Sequence, residues 1–409
     1  MSKNSALPAM TVTLLLDFIG LFMVIPIFAP LLLDPHSPML PTQAPIGLRT
    51  TLIGLLIASY GFGQLWGGPV LGELSDQLGR KKVIIWGVAC LVGANILGVL
   101  SLFMNNLVLL FLCRFGTGFA SGNGSVIFAA VTHSNRDEKQ RGLQLGYLAG
   151  ACSIGAVLGP VVGAGLSAIH GLPWPSKATP FLFMSIAFAV NIFMLIRGYQ
   201  DRGHYERRPF NLFTGFKNIF ECFTIQPLPL LLLSYFLFVL STETIFAGLP
   251  IFAVRKFQVS SAWLGVLFAM GSLCSALSSL VINRKLSEHY SSNQIVLLCL
   301  SILCIAFFLF LLPRHPGGLF IPYALVGFTC VLVWAHYNSI FGGVVAKNIQ
   351  GKVIGVAQSL LSLSILIGPP IMGGLMAVHQ EIVVYISGCS SISALVCFSI
   401  WVKQQQRSL

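Results

Sequence analysis

Three ionisable residues lie inside long apolar stretches of this 409-residue chain. Asp17 lies within LLLDFIGLF, Arg114 within FLCRFGTG and Glu243 within LSTETIFAG. A charged side chain at the centre of a membrane-spanning helix costs about 2.5–3.5 kcal/mol even on the lenient insertion scale, so it usually faces a partner or a wet cavity. A carboxyl group in apolar surroundings disfavours its ionised form and can carry a proton. The three residues are therefore candidates for proton coupling.

A structural interpretation of the same residues stays open. Asp17 and Glu243 can form a polar pair that joins two helices, and Arg114 can extend its side chain to the outer edge of the membrane. We favour the functional interpretation for all three, because intramembrane charges are usually functional.

The elements that position these residues are membrane-spanning helices. The chain is 56% hydrophobic and 9% charged, with a mean hydropathy of +0.85, whereas a soluble domain has about 25% charged residues. The composition therefore predicts an all-α membrane protein with 12 transmembrane helices. The apolar runs lie near residues 9–33, 50–71, 83–104, 107–133, 142–169, 179–199, 227–254, 261–282, 293–313, 318–345, 353–378 and 382–402.

The positions of the basic residues indicate a topology. Most of the 24 Lys and Arg residues fall in loops on one side of the predicted membrane, which places both termini in the cytoplasm. The same pattern excludes nucleic acid as a partner, because no separate basic domain exists. We expect an inner (cytoplasmic) membrane location and a first span that is retained rather than cleaved as a signal peptide.

An internal repeat divides the chain into two halves. IPIFA at 25–29 matches LPIFA at 249–253, and LSD at 74–76 matches LSE at 286–288. The longest polar stretch, 200–226, separates the two sets of six runs. We therefore expect two pseudo-symmetric six-helix bundles, 1–199 and 227–409, joined by a cytoplasmic linker.

A loop rich in glycine and charged residues follows the second run. It reads Gly72-Glu-Leu-Ser-Asp76-Gln-Leu-Gly79-Arg80-Lys81-Lys82, in which the glycines allow a tight turn and the basic residues hold the loop in the cytoplasm. This loop resembles the signature G-x-L-[AS]-D-x-x-G-R-K of the major facilitator superfamily at every position. The resemblance covers essentially the whole chain. It implies alternating access around a central cavity, with Gly72, Asp76, Gly79, Arg80 and Lys81 forming a conformational latch.

Two further motifs resemble the same family. Arg114 and the residues after it partly match the helix-4 motif in which the arginine is linked to proton coupling. Asp17 resembles the helix-1 aspartate of tetracycline-type drug/proton antiporters. The fifth run resembles the antiporter motif that marks exporters; its residues are Gly146, Gly155, Gly159, Pro160 and Gly163.

Polar residues within the runs are candidates for the substrate cavity. They are Asn123, Tyr147, Tyr235, His336, Tyr337, Asn338 and Gln358. His336 is equally well interpreted as a packing residue.

The sequence as a whole favours proton-coupled export of a small organic molecule by a transporter that is expected to be monomeric. Two alternatives remain: uptake by symport, with Arg114 and His336 holding an anionic substrate, and a membrane sensor or scaffold without transport. An enzyme is not expected, because no nucleophile–base pair, phosphate loop or metal cluster is recognisable. The expected partners are the substrate, protons and the lipid bilayer, with no cofactor and no metal.

Overall fold

A computed structural model describes residues 6–134, 138–169, 171, 173–199, 221–345 and 350–408. The first half of the chain forms eight helices in the described residues: α1 Ala6–Met23, α2 Ile25–Leu33, α3 Ile46–Leu78, α4 Arg80–Phe103, α5 Leu107–Ser121, α6 Asn123–Ser134, α7 Glu138–Ser167 and α8 Thr179–Gly198. The second half forms seven more: α9 Leu228–Phe257, α10 Ser261–Leu277, α11 Asn283–His289, α12 Ser292–Leu309, α13 Phe320–Val344, α14 Gln350–Leu375 and α15 Ile382–Ser408. A single π-helical turn, Ser278–Ile282, joins α10 to α11.

The helical class agrees with the sequence prediction. Among the described residues, 11 helical segments are long and apolar enough to cross a membrane. The remaining predicted run, 107–133, is occupied by α5 and α6, which are interrupted at Gly122. A side chain at Gly122 would overlap the backbone of α3 at Gly67, so the interruption lies at a close helix–helix contact.

Several helices begin at the residue types that cap helix N-termini. The Asn106 side chain accepts hydrogen bonds from the backbone N–H groups of Val108 and Leu109 at 2.9 and 3.2 Å. Ser291 and Gln294 form a capping box at the start of α12. Such side chains satisfy backbone donors that have no partner within the helix.

The chain separates into two compact units. One contains Met1–Gln43 and Ser59–Leu212, and the other contains Ala44–Ala58 and Phe213–Leu409. The N-terminal part of α3 is thus grouped with the second half of the chain, and the division into 1–199 and 227–409 stays a prediction. Residues 200–220 of the predicted linker lie outside the described residues.

Glycines of α7 bring this helix against the backbone of α1 in the first unit. A Cβ atom at Gly155 would lie 2.5 Å from the Leu15 carbonyl oxygen, and one at Gly159 would lie 2.8 Å from Phe22 Cβ. A Cβ atom at Gly163 would overlap the carbonyl of Met23. Glycines spaced by four residues lie on one helix face and permit such close approach in a membrane, where apolar burial gives little drive for helix association.

The second unit contains similar contacts. A Cβ atom at Gly368 of α14 would lie 2.7 Å from Thr244 Oγ1 of α9. Pro369 of the same helix contacts Gly54 in the N-terminal part of α3 so closely that a side chain at Gly54 would overlap its carbonyl. Gly159-Pro160 and Gly368-Pro369 match in the internal repeat, so the two halves use the same residue types for close helix packing.

The close contact between α1 and α7 should contribute to the thermal stability of the protein. We expect Gly163→Ala to lower the thermal unfolding midpoint by several degrees, because overpacking a tight contact costs about 1–3 kcal/mol. Gly165→Ala is the matched control on the same helix, since a Cβ atom there meets nothing within 4 Å. Thermal unfolding of the detergent-purified variants measures the difference. Equal midpoints for the two variants would show that the contact does not limit stability.

Candidate functional site

Arg114 lies in an aromatic environment inside the first unit. Its side chain is 2% exposed, and the guanidinium carbon lies 4.7 Å from the ring centre of Tyr60 and 5.8 Å from that of Phe28. Cation–π contacts of this kind contribute about 2 kcal/mol or more when they are desolvated. The rings therefore offset part of the cost of burying the charge.

The burial of Arg114 is otherwise incompletely compensated. In the described residues no carboxylate forms an ion pair with it, and its Nε atom has no hydrogen-bond partner. A guanidinium stays charged in proteins. Arg114 is therefore a permanent buried cation that can attract a carboxylate or another electron-rich group.

Asp17 lies on α1, the helix that the α7 glycines contact. Its side chain is 8% exposed. One helical turn earlier, the Thr13 hydroxyl donates to Asn191 Oδ1 at 2.8 Å, and Asn191 Nδ2 donates to the Ala9 carbonyl at 3.1 Å. Those polar groups bind each other across α1 and α8, whereas the structure joins Asp17 to no described residue by a hydrogen bond or ion pair. An ionised carboxylate without a partner is costly in such a place.

Glu243 is the corresponding acid of the second unit. It lies at the middle of α9, is half-buried, and stands between the buried residues Thr242 and Thr244. The described part of the chain provides no hydrogen bond or ion pair to its carboxylate either. Each unit thus holds one carboxyl group without a fixed partner.

The predicted latch loop is anchored to two other helices of the first unit. Arg80 Nη1 donates to the Ala129 carbonyl at 3.1 Å, and Lys81 Nζ donates to the Ile196 carbonyl at 2.8 Å, in the last turn of α8. A cation is favourable near a helix C-terminus. Asp76 is 4.0 Å from Arg80 and largely exposed. Gly79 adopts φ +98°, a conformation that a side chain disfavours, so the turn requires glycine here.

His336 lies in a hydrogen-bonded cluster of the second unit. Its Nδ1 atom is 3.1 Å from Ser292 Oγ at the start of α12, and its Nε2 atom is 3.1 Å from Asn283 Oδ1 at the start of α11. Both ring nitrogens are therefore engaged. The side chain is 7% exposed, so in this structure His336 connects helices rather than presenting a free nitrogen.

Three residues predicted to line a substrate cavity lie inside packed helices instead. Tyr235 and Tyr337 are fully buried with ring centres 5.4 Å apart, and the Tyr337 hydroxyl bonds to Ser234 at 2.6 Å. The Asn123 amide donates to the Ile84 carbonyl at 2.9 Å. The Tyr235 hydroxyl and Asn123 Oδ1, in contrast, are buried without a hydrogen-bond partner among the described residues.

The remaining predicted cavity and motif residues have different environments. Tyr147 and Gln358 are exposed, and Asn338 donates to the Trp334 carbonyl of its own helix at 2.8 Å. Gly146 is also exposed, and a Cβ atom there meets nothing within 4 Å. Gly146 therefore differs from Gly155, Gly159 and Gly163, which contact α1.

Sequence reasoning did not single out the partners of Arg114 and His336. Phe28 lies in the repeated stretch at 25–29, so the internal repeat could have pointed to it. Nothing in the sequence distinguishes Tyr60 from other aromatic residues within the spans. Asn283 and Ser292 are polar residues near helix ends, where polar residues are common. Only the fold shows that Asn283 and Ser292 contact His336.

Comparison with known proteins identifies the family. The family model described as Major Facilitator Superfamily matches residues 10–224 and 231–408. The chain belongs to the Major Facilitator Superfamily. It is a multi-pass membrane transporter for small molecules and not an enzyme, as the sequence predicted.

Curated relatives of this Major Facilitator Superfamily chain are resistance proteins. It is 24% identical to the class C tetracycline resistance protein of Escherichia coli, over 92% of this chain and 91% of that protein. It is 25% identical to multidrug resistance protein 1 of Bacillus subtilis, over 91% and 90%. The human organic anion transporter MFSD10 superposes with a TM-score of 0.72 at 20% identity, covering 98% of this chain and 100% of that one. That likeness shows the fold alone.

From the environment of Arg114 we expect that replacing this residue abolishes transport without lowering stability. Replacing an incompletely paired buried charge by an apolar side chain of similar length is often neutral or stabilising. We expect Arg114→Met to keep or raise the thermal unfolding midpoint and to abolish transport. Arg80→Met is the control in the same unit and should lower the midpoint, because it removes the bond to Ala129. An Arg114→Met protein that fails to fold would indicate that the cation mainly serves structure.

Proposed function

We propose that this transporter exports small organic molecules in exchange for protons. The observation that carries the proposal is Asp17, a carboxyl group that is 8% exposed within a transmembrane helix and has no hydrogen-bond or ion-pair partner among the described residues. Such a group is stable when protonated and costly when ionised. It therefore suits a site that is loaded with a proton and then discharged when a substrate arrives.

Arg114 is the permanent charge of the unit that contains Asp17. In the proposed cycle, protons from outside neutralise Asp17 or Glu243, and a substrate arriving from the cytoplasm displaces them, while Arg114 stays charged throughout.

Export rather than uptake is supported by two features. The glycines of α7 that resemble the antiporter motif contact α1, the helix that carries Asp17. The relatives named as tetracycline, quinolone and multidrug resistance proteins match at least 90% of this chain. A resistance protein of this family protects a cell by removing the drug, so we carry the direction of transport over to this chain as part of the proposal.

Uptake of an anionic substrate by symport is the second candidate. Arg114 favours it, since a buried cation without a carboxylate partner can bind an anionic group. His336, the other residue expected to hold an anion, is bonded through both ring nitrogens to Asn283 and Ser292. The anion interpretation therefore rests on Arg114 alone.

We also propose an orientation of the chain in the membrane and an oligomeric state. Both termini and the linker at 200–226 lie in the cytoplasm, which puts the Asp76–Arg80 loop on that side. The transporter works as a monomer, with an N-terminal bundle at 1–199 and a C-terminal bundle at 227–409.

The direction of transport can be measured in inside-out membrane vesicles with an acidic lumen. We expect tetracycline or a quinolone, chosen from the names of the relatives, to dissipate the proton gradient on addition, because substrate entry expels lumenal protons. Asp17→Asn should abolish this signal, since an amide side chain cannot bind and release the coupled proton. A pH-sensitive fluorescent dye reports the gradient.

The matched control is Glu381→Gln, which removes a partly exposed carboxylate paired with Lys256 at 3.2 Å and should leave the signal intact. Gradient-driven accumulation of the same compounds in right-side-out vesicles would contradict export and favour symport. An unchanged signal in Asp17→Asn would exclude Asp17 as the proton carrier.

A further inference from the structure

Two membrane-spanning helices of the first unit, α4 and α8, pack side by side in opposite directions. At one end of the pair, the Lys81 Nζ atom of α4 donates to the Ile196 carbonyl of α8 at 2.8 Å. Near the other end, a Cβ atom at Gly98 of α4 would lie 2.6 Å from Phe181 Cδ1 of α8. The start of α4 and the last turn of α8 therefore meet at the same edge of the membrane.

Two exposed cations flank that hydrogen bond. Lys82 is the next residue on α4, and Arg197 is the next residue on α8. Within the part of the chain that the structure describes, neither forms an ion pair or donates a side-chain hydrogen bond. Asp76 at the end of α3 is 4.0 Å from Arg80 instead. Two neighbouring cations without a carboxylate partner favour an anionic group between them.

The Arg197 side chain leans toward the membrane rather than toward water. Its guanidinium carbon lies 3.9 Å from the ring centre of Phe193, which is one turn earlier on α8. Arg197 is in the last turn of this membrane-spanning helix, so a side chain that leans toward the helix N-terminus leans into the membrane. Long basic side chains at a membrane edge commonly extend toward water. The contact with Phe193 therefore holds the cation close to the lipid head groups, whose phosphates are anionic.

Apolar surface continues from the two cations toward the membrane centre. On α4, the exposed ring of Trp86 lies one turn after Lys82, and Gly93 follows with open space where a Cβ atom would be. On α8, the exposed side chains of Phe193 and Val190 precede Arg197 by about one and two turns. An indole ring favours the boundary between head groups and acyl chains. This surface can therefore pack against acyl chains directly beside the two cations.

We propose that Lys82 and Arg197 bind the phosphate of an anionic phospholipid, whose acyl chains lie along the exposed faces of α4 and α8 that carry Trp86 and Phe193. This lipid site lies on the outer surface of the first unit. It goes beyond the proposed export function and involves none of the three intramembrane charges assigned to proton coupling.

The charge of the head group decides which lipid fits. Arg197 can donate two parallel hydrogen bonds to a phosphate, and Lys82 adds a compact positive charge. A zwitterionic choline head group brings its own cation, which the two basic side chains repel. A glycerol head group adds no positive charge and leaves the phosphate free to pair with both side chains. The site should therefore prefer phosphatidylglycerol to phosphatidylcholine.

Native mass spectrometry of the full-length transporter in detergent tests the lipid site. Phosphatidylglycerol and phosphatidylcholine with identical acyl chains are titrated in parallel, so that only the head group differs. We expect the wild-type protein to bind phosphatidylglycerol about tenfold more tightly, because two basic residues contact its phosphate. Lys82→Gln combined with Arg197→Gln should remove this preference. Phe193→Leu should reduce it in part, since the cation remains but the ring that positions it is lost.

The matched control is Lys285→Gln combined with Lys403→Gln, which removes the same charge from two exposed lysines of the second unit and should keep the preference. Equal binding of the two lipids by the wild-type protein would overturn the proposal, and so would an equal loss of preference in the control. Displacement of phosphatidylglycerol by millimolar glycerol phosphate would assign the site to a soluble phosphate and overturn it as well. These outcomes are independent of proton-coupled export, which depends on Asp17 and is measured by transport.

Discussion

An ionised side chain inside a transmembrane helix loses hydration unless it faces a partner or a wet cavity, and this cost constrains the interior of the transporter. Arg114 is permanently charged and is buried against Tyr60 and Phe28, whose rings replace part of its hydration. Asp17 and Glu243 can avoid the cost by binding a proton. We propose that this fixed cation and the two acids whose charge is optional couple substrate transport to proton movement.

The lipid environment imposes a second requirement, which is that helices must be held together without a hydrophobic driving force between them. Glycines of α7 and α14 meet it by permitting contact with neighbouring backbones, and hydrogen bonds such as Thr13–Asn191 add to it. Side chains that donate to backbone carbonyls of other helices, including Arg80 and Lys81, provide further contacts. Asp17 on α1 and Glu243 on α9 lie on helices that these glycine contacts hold in place.

Much of the fold was predictable, because hydropathy and glycine spacing are local properties. The 12 runs, the repeat and the glycine requirement at Gly79 all follow from residue type and order. The partners of a side chain are not local. Asn123, Tyr235 and Tyr337 were interpreted as cavity residues, since a mainly apolar helix gives no signal for the direction in which a polar residue points. Likewise, only the fold brings Asn283 and Ser292 to His336.

The central claim is that a buried carboxyl group carries a proton that the substrate displaces. The direct measurement is proton release on substrate binding to the purified transporter in weakly buffered detergent solution, followed with a pH indicator. The account predicts release of about one proton per bound substrate in the wild-type protein, from a single carboxyl, and none in Asp17→Asn with binding retained. Saturable binding without proton release in the wild-type protein would contradict the account.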